Sequence, residues 1–494
     1  MSLLVFQFLT AEANSISLVT HRKRWSLNFS TRSNMYLTSL SLKNFKCFRE
    51  LHVGLSKITL LLGANSSGKS SLLSALLGAV QSDQFPILFS PNGSFVNMGD
   101  FCSISHGHKT NHDFEISLRY EGSENKAVSV CGSYCGSQIS RLPEVVFASY
   151  DDGPFKLSLS KKEKYEAEWF YNSHDDPFFK TTQDEDFQLF MGAVSGFLEK
   201  QEGKRRKKKK KDAGLSVSSP PEILDLKTAP PSHRFSFNSP HGFFKAIQEK
   251  RSYVLIPHLT GITGVTQSFA KRFNYIGAFR QEPLRTYYQV SKSNLRVDRA
   301  GENYIHQIAD WEQRNTPEFR KLRTSLRKLK LLDEIRTNRL AEGRFEIRVK
   351  TGENGVRAGL ADVGFGVSQV LPILVADLQL PKRSTLAVSQ PEIHLHPSAQ
   401  ADLADYFVER TKRDQKRYII ETHSEYLLNR LRLLIAQEKI LPSDVSVLYL
   451  RSVGPETSAF KIDLSKDGRI VGAPKDFFHT YLHDVMDIAM NATK

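Results

Sequence analysis

Cysteine is scarce in this 494-residue chain, and a long apolar run is missing altogether. Its four cysteines, Cys47, Cys102, Cys131 and Cys135, are too few to make a disulfide framework in so long a chain and read as reduced thiols. Cys131 and Cys135 have a metal-like spacing, but no second Cys or His pair completes a zinc site. No stretch approaches the roughly 20 apolar residues of a membrane span, which argues against transport and for a cytoplasmic protein. The first 34 residues have no charged segment ahead of their apolar start, so they do not read as a secretory leader. They are Ser-rich and basic, and are expected to form a disordered extension before a clean strand pattern begins at Met35.

The length present is enough for a large core and two or three structural units. With 40% hydrophobic, 24% charged and 10% aromatic residues, the composition is that of an ordinary soluble protein. The formal charge of +15 is concentrated, because Lys204–Lys211 (KRRKKKKK) supplies eight cations and leaves +7 elsewhere. Such a block reads as a solvated tract, with attraction to nucleic acid or an acidic partner as the alternative.

Strand patterns fall at Met35–Phe48, Lys57–Ala64, Arg344–Lys350, Thr385–Val388, Tyr418–Glu421 and Val445–Leu450. A core split into residues 35–140 and 344–494 is therefore expected, continuous in space although interrupted in sequence. Between its halves, residues 141–343 read as an insertion, with a basic, Pro/Ser-rich linker at 200–233 and helical periodicity at 302–340.

Four motifs carry chemistry. The segment GANSSGKSS (Gly63–Ser71) fits G-x-x-x-x-G-K-[ST] between a predicted strand and a predicted helix. Gly63, Asn65, Ser66, Ser67, Gly68, Lys69, Ser70 and Ser71 would wrap phosphates, with Lys69 on the β- and γ-phosphates and the Ser70 hydroxyl on Mg²⁺. A Gly-x-Gly-x-Ser turn, Gly364, Gly366 and Ser368, opens an apolar helix and exposes amides to an anion. The stretch LAVSQPEIHLHP (Leu386–Pro397) ends a buried strand where nucleotide-hydrolysing proteins carry Asp-Glu, one acid for magnesium and one for water. Here stand Ser389 and Gln390, and a carboxylate returns only at Glu392. Ser389 can hydrogen-bond a metal-bound water, and Gln390 can orient the attacking water but cannot take its proton. Finally, in ETHS (Glu421–Ser424), His423 is left at a strand's C-terminal edge, where ligands of open α/β sheets lie.

In this order the motifs resemble the ABC-type ATPases related to the OLD, RecF and SMC proteins. The resemblance extends over most of Met35–Asn491 and includes NGSFVNMGDF, YIGAFRQEPLRTYY, GEN and DGRIVGAPKDFF. It implies an α/β fold, an ABC-type P-loop ATPase core with a central mixed sheet, interrupted by a long, mostly helical insertion. It further implies ATP and Mg²⁺ as ligands and His423 as a switch histidine bridging γ-phosphate and water. Gly364, Gly366 and Ser368 would act in trans, which requires a head-to-tail dimer or a higher oligomer. Relatives in phage-defence systems such as Septu, PARIS and retron modules pair such an ATPase with a separate effector nuclease of HNH or TOPRIM type. The resemblance further implies DNA or a phage protein as a trigger. A TOPRIM nuclease within the chain would need a late Asp-x-Asp, and none follows His423. The alternative implied is a RecF-like repair or DNA-maintenance ATPase whose basic insertion grips duplex DNA. The acid-poor Walker B-like stretch implies slow turnover, with Gln390, Glu392 and His423 as its catalytic residues.

Overall fold

A computed structural model of the protein describes residues 15–19, 24–28, 35–122, 126–137, 139–172, 232–237, 239, 256–288, 296–352, 354–474 and 477. In chain order, a hairpin of β1 (Ser15–Val19) and β2 (Arg24–Asn28) precedes β3 (Tyr36–Phe45), β4 (Phe48–Gly54) and β5 (Ile58–Gly63). Helix α1 (Lys69–Gln81) and the single turn α2 (Phe101–Ile104) follow. An antiparallel run comes next: β6 (Phe114–Glu121), β7 (Ala127–Gly136), β8 (Pro143–Asp151), β9 (Phe155–Lys161), β10 (Tyr165–Tyr171) and β11 (Ser232–Phe237). Then come α3 (Ile256–Lys271), β12 (Phe273–Ile276), β13 (Tyr287–Tyr288), α4 (Tyr304–Gln313), α5 (Pro317–Lys328), β14 (Glu334–Arg339), β15 (Arg344–Lys350) and β16 (Arg357–Gly359). The last third holds α6 (Phe365–Gln379), β17 (Thr385–Ser389), α7 (Pro397–Asp414), β18 (Arg417–Glu421), α8 (Glu425–Ala436), β19 (Val445–Val453), β20 (Glu456–Leu464) and β21 (Ile470–Val471).

Two large sheets organise these elements. The core sheet has the order β12-β17-β18-β5-β19-β20-β21, with β12, β17, β18, β5 and β19 mutually parallel. Its inner strands β17, β18 and β5 are short and mostly buried because both faces are covered. Ile58, Leu60 and Leu62 of β5 join the apolar residues of α4 to α8 on one face. Leu61, on the other face, packs among Leu72 and Leu76 of α1 and the inner side of the second sheet. That second sheet is antiparallel, in the order β11-β10-β9-β8-β7-β6-β3-β4. A smaller sheet of β13, β15, β14 and β16 is hydrogen-bonded to neither and packs Ile335, Phe345, Ile347 and Val349 into the same core as Ile58 and Leu60.

The region between the core halves departs from the mostly helical insertion expected. Residues 143–171 are three strands of the antiparallel sheet, so the expected boundary at 141 falls between two neighbouring strands, β7 and β8. Leu157 and Leu159 of β9, and Ala167 and Trp169 of β10, alternate inward against polar outward neighbours, a period-two pattern that builds a half-buried strand. The helical stretch expected at 302–340 ends at Lys328, and Glu334–Arg339 pairs with β15 instead. Within the N-terminal stretch expected to be disordered lies the β1–β2 hairpin. The lysine block and most of the expected linker lie outside the described residues.

A network of buried charge surrounds Asp377. Asp377 of α6 is fully buried, and its Oδ2 accepts from Tyr406 Oη (2.7 Å) and Arg410 Nε (2.9 Å). Its Oδ1 accepts from Tyr418 Oη (3.0 Å) and Lys416 Nζ (3.1 Å). Burial disfavours the Asp377 charge, but Lys416 and Arg410 outweigh it and hold the carboxyl below the usual carboxylate range. The cluster joins the C-terminal part of α6 to α7 and to the start of β18. Asp377→Asn keeps the shape but leaves the buried Lys416 without a carboxylate and Arg410 with Asp414 alone, so unfolding free energy should fall by about 3–5 kcal/mol. Denaturant melts would show it, and an unchanged midpoint would refute it. The carboxyl is depressed on folding, so its contribution is present above the ordinary aspartate range and disappears as pH falls through the folded value.

Candidate functional site

The central strand β5 ends at Gly63, and the loop that follows is shaped by two glycines. Gly63 has φ 143°, and a Cβ there would lie 2.3 Å from the Leu450 carbonyl oxygen. At Gly68, with φ 90°, a Cβ would lie 2.8 Å from Cys47 Sγ. Helix α1 therefore begins at Lys69 behind a glycine that offers no side-chain cap, leaving its first amides for an anion. Asn65, Ser66 and Ser70 are exposed and Ser71 half-buried, while the buried Ser67 hydroxyl has no partner among the described residues. Lys69 is only 4% exposed, and its Nζ donates to the carbonyls of Gly63 (3.0 Å) and Ala64 (2.7 Å). Burial draws its pKa down, against the opposing pull of Glu421 and Glu392.

The Ser70 hydroxyl is turned to a carboxylate that the motif reading passed over. Ser70 Oγ donates to Glu421 Oε1 at 2.6 Å, and Ser389 Oγ donates to Glu421 Oε2 at 2.7 Å. With the Ser389 proton so committed, the Tyr275 hydroxyl 3.2 Å away is the donor to Ser389 Oγ. Ser389 and Glu421 are the paired last residues of the parallel strands β17 and β18, and both are buried. Ser70, Ser389 and Glu421 thus present a cluster of hard oxygen donors, the chemistry that suits Mg²⁺ beside a phosphate.

Beyond Ser389 the chain turns through Gln390, whose φ is 47°. Its amide donates to the Glu421 carbonyl (2.6 Å), and Arg280 Nη2 donates to the carbonyls of Ser389 (2.7 Å) and Gln390 (3.1 Å). Burial pulls the Arg280 pKa down to about 10, which leaves the guanidinium charged at neutral pH. The Gln390 side chain makes no hydrogen bond among the described residues. Glu392 Oε1 accepts the His423 amide at 2.7 Å, and its Oε2 is buried without a partner among the described residues. The exposed His423 ring has its pKa lowered by partial burial and by Lys69. His396 caps α7, its side chain accepting from Ser398 N.

The glycine-rich turn rests on the same loop. A Cβ on Gly366 would lie 2.4 Å from the His394 carbonyl oxygen, and the Phe365 and His394 rings meet edge-on at 4.9 Å. Of its three residues only Gly364 is exposed. Ser368 is buried, and its hydroxyl donates to the Phe365 carbonyl at 2.7 Å, so it faces inward. Arg285 pairs with Asp362 just before the turn, at 2.8 Å.

One sheet edge therefore gathers Lys69, Ser70, Ser389, Gln390, Glu392 and His423, with the glycine-rich turn attached through His394. Glu421 and Tyr275 join them. The one sequence signal for Glu421 was its place immediately before Thr422-His423-Ser424.

Residues 35–428 match the model of the AAA ATPase domain family. No curated protein matches the chain. Among solved structures, the chain is similar to the SMC head domain from Thermotoga maritima, at 12% identity and TM-score 0.37, covering 87% of this chain and 99% of that one. It is also similar to an Smc head domain from Pyrococcus furiosus bound to the C-terminal domain of ScpA, at 12% identity and TM-score 0.38, covering 93% and 100%. Among the described residues no helix is long and apolar enough to cross a membrane.

Arg280 holds the two carbonyls that set the Gln390 turn. Arg280→Met should lower unfolding free energy by about 1.5–3 kcal/mol, the worth of charge-assisted bonds to buried acceptors. Denaturant titration would read the loss, and wild-type stability would show that the turn holds without it.

Proposed function

The chain belongs to the AAA ATPase domain family, and from that premise we propose an ATP-binding, slowly hydrolysing switch of ABC type. The carrying observation is the meeting of the Gly63–Ser71 loop with Ser389, Glu392 and His423 at one edge of a parallel sheet. Lys69 and the α1 amides would take the phosphates, and Ser70 with the neighbouring carboxylate would take Mg²⁺, which neutralises phosphate charge when bound. In this reading Lys69 releases the Gly63 and Ala64 carbonyls to meet the ligand. Gln390 orients water, and the neutral His423 ring offers a hydrogen bond to it. No carboxylate stands at position 390 to accept the water's proton, so turnover is slow and the ATP-bound state long-lived. Glu392 ties the turn to the His423 backbone with one oxygen and leaves the other for water.

A switch of this kind suits a sensor that controls a separate effector nuclease, as the motif resemblance implies for phage-defence ATPases. A second copy, docked head to tail, would present Gly364 and the first amides of α6 to the nucleotide. The second reading, a DNA-maintenance ATPase, is favoured by the basic surface of α5 and β14–β16, where Arg320, Arg336, Arg339 and Arg348 lie.

Lys69→Ala should abolish ATP binding in equilibrium titration of the purified protein, and retained affinity would overturn the ATP-centred reading. Gln390→Glu restores a base at the turn and should raise turnover by about 10²–10⁴-fold. A wild-type rate above several per second would sink the slow switch. Steeply salt-dependent duplex binding that strengthens with ATP would favour the second reading.

A further inference from the structure

We infer that Glu421, the last residue of β18, is the acid that holds the nucleotide's metal, taking the place of the aspartate missing from position 389. The inference rests on the ATP-binding reading and adds a ligand that the motif pattern assigns to a different strand.

Three observations carry it. The hydroxyl that a phosphate loop offers to Mg²⁺, Ser70 Oγ, is hydrogen-bonded to Glu421 Oε1 at 2.6 Å and to nothing on β17. The residue at the vacated acid position, Ser389, donates to the other oxygen of the same carboxylate at 2.7 Å. It is therefore one spacing away across the parallel register, not remote from the acid. Third, Glu421 is only 6% exposed and no ion pair joins it to a described residue. Lys69, which feels its charge, donates instead to Gly63 and Ala64. The carboxylate is held by two neutral hydroxyls and has no cation in contact with it among the described residues, and a buried charge without such a contact is costly. A divalent cation beside Ser70 is the counter-charge this geometry accepts.

β18 lies directly beside β5, whereas β17 lies one strand farther out. A glutamate is one methylene longer than aspartate, and from the nearer strand its carboxylate reaches Ser70. Transfer of the acid thus keeps the metal site while the strand that would carry the water-activating base keeps only Gln390.

The test measures affinity for a fluorescent ATP analogue, with Mg²⁺ and with EDTA, in full-length protein. Wild type should bind about tenfold more tightly with Mg²⁺. Glu421→Gln, equal in size, should keep the metal-free affinity but lose most of that enhancement. Adding Ser389→Asp to it should return the enhancement, because the new acid lies across the register from residue 421. Mn²⁺ substituted for Mg²⁺ should give an electron paramagnetic resonance signal of bound metal in wild type and in the double variant, and little in Glu421→Gln. If Glu421→Gln does not fold, Glu421→Asp, which falls short of Ser70, should show a reduced enhancement. Full Mg²⁺ enhancement in either single variant overturns the assignment and leaves ATP binding intact. A wild type that binds no nucleotide overturns both.

Discussion

Everything at the candidate site follows from the parallel register of three strands. Ser389 pairs with Glu421, and Glu421 pairs with Leu61 of β5, two residues before the phosphate loop begins. Parallel strands end at the same edge of a sheet, so residues 32 positions apart in sequence become neighbours there. A slip of one residue would turn Glu421 to the opposite face and bring Ile420 to the hydroxyls of Ser70 and Ser389. The register is fixed at the far end of the same strand, where Tyr418 and the preceding Lys416 are bonded to Asp377. A five-residue strand is thus held by a buried ionic cluster at its start and by the Ser70–Glu421–Ser389 contact at its end.

The Asp377 cluster also links parts that have to move together in a switch. It lies on α6, the helix opened by the glycine-rich turn, and binds α7, the helix that follows the Gln390–His396 loop. At their other ends the same two segments meet again, through Phe365 against His394 and Gly366 against the His394 carbonyl. The loop between is pinned by Arg280 from one side and by the Glu392–His423 bond from the other. In the proposed reading a change at the phosphates is felt by Lys69, Glu421 and His423. It reaches Gly364 through a loop with few free torsions, which is the physical content of coupling between nucleotide and a docked copy.

How legible this was depended on whether a function is written along one segment or across several. The phosphate loop was readable outright, because a single turn needs its glycines, lysine and serine at fixed spacings. The apolar strands β5, β17, β18 and β19 were readable from their continuous Val, Ile and Leu. Glu421 was not, although its motif was in view, since a search for the metal acid follows β17 and the cross-strand register is invisible in sequence. The strands at 143–171 were hidden because Phe147 and Phe170 stand exposed on the outer face and blur the alternation that Leu157, Leu159, Ala167 and Trp169 set up. Glu334–Arg339 followed a helical run and continued its basic composition, and only pairing with β15 makes it a strand. Asp377 had a signal that sequence reading did not use: a lone carboxylate inside the apolar helix LPILVADLQ.

In the proposed reading, separating the two acid roles lets the site keep its ligand and lose its speed. Metal binding needs a negative oxygen near the Ser70 hydroxyl, and any strand end within reach can supply it. Proton abstraction needs a base facing the attacking water beyond the γ-phosphate, a position reached from the turn after β17. With the inferred metal acid on β18, residue 389 is a neutral donor, and its hydroxyl steadies Glu421 without adding charge. Placing Gln at 390, in a backbone conformation held by Arg280, preserves the ability to orient water. Two carboxylates about 3 Å apart at positions 389 and 421 would repel by several kcal/mol in a buried site, so without a metal one of them would take up a proton. With one acid, the Ser70 and Ser389 hydroxyls fix the Glu421 carboxylate beside the phosphate loop. In the proposed reading such a site holds its nucleotide, and its turnover is set by Gln390, which stands where the water-activating base is expected.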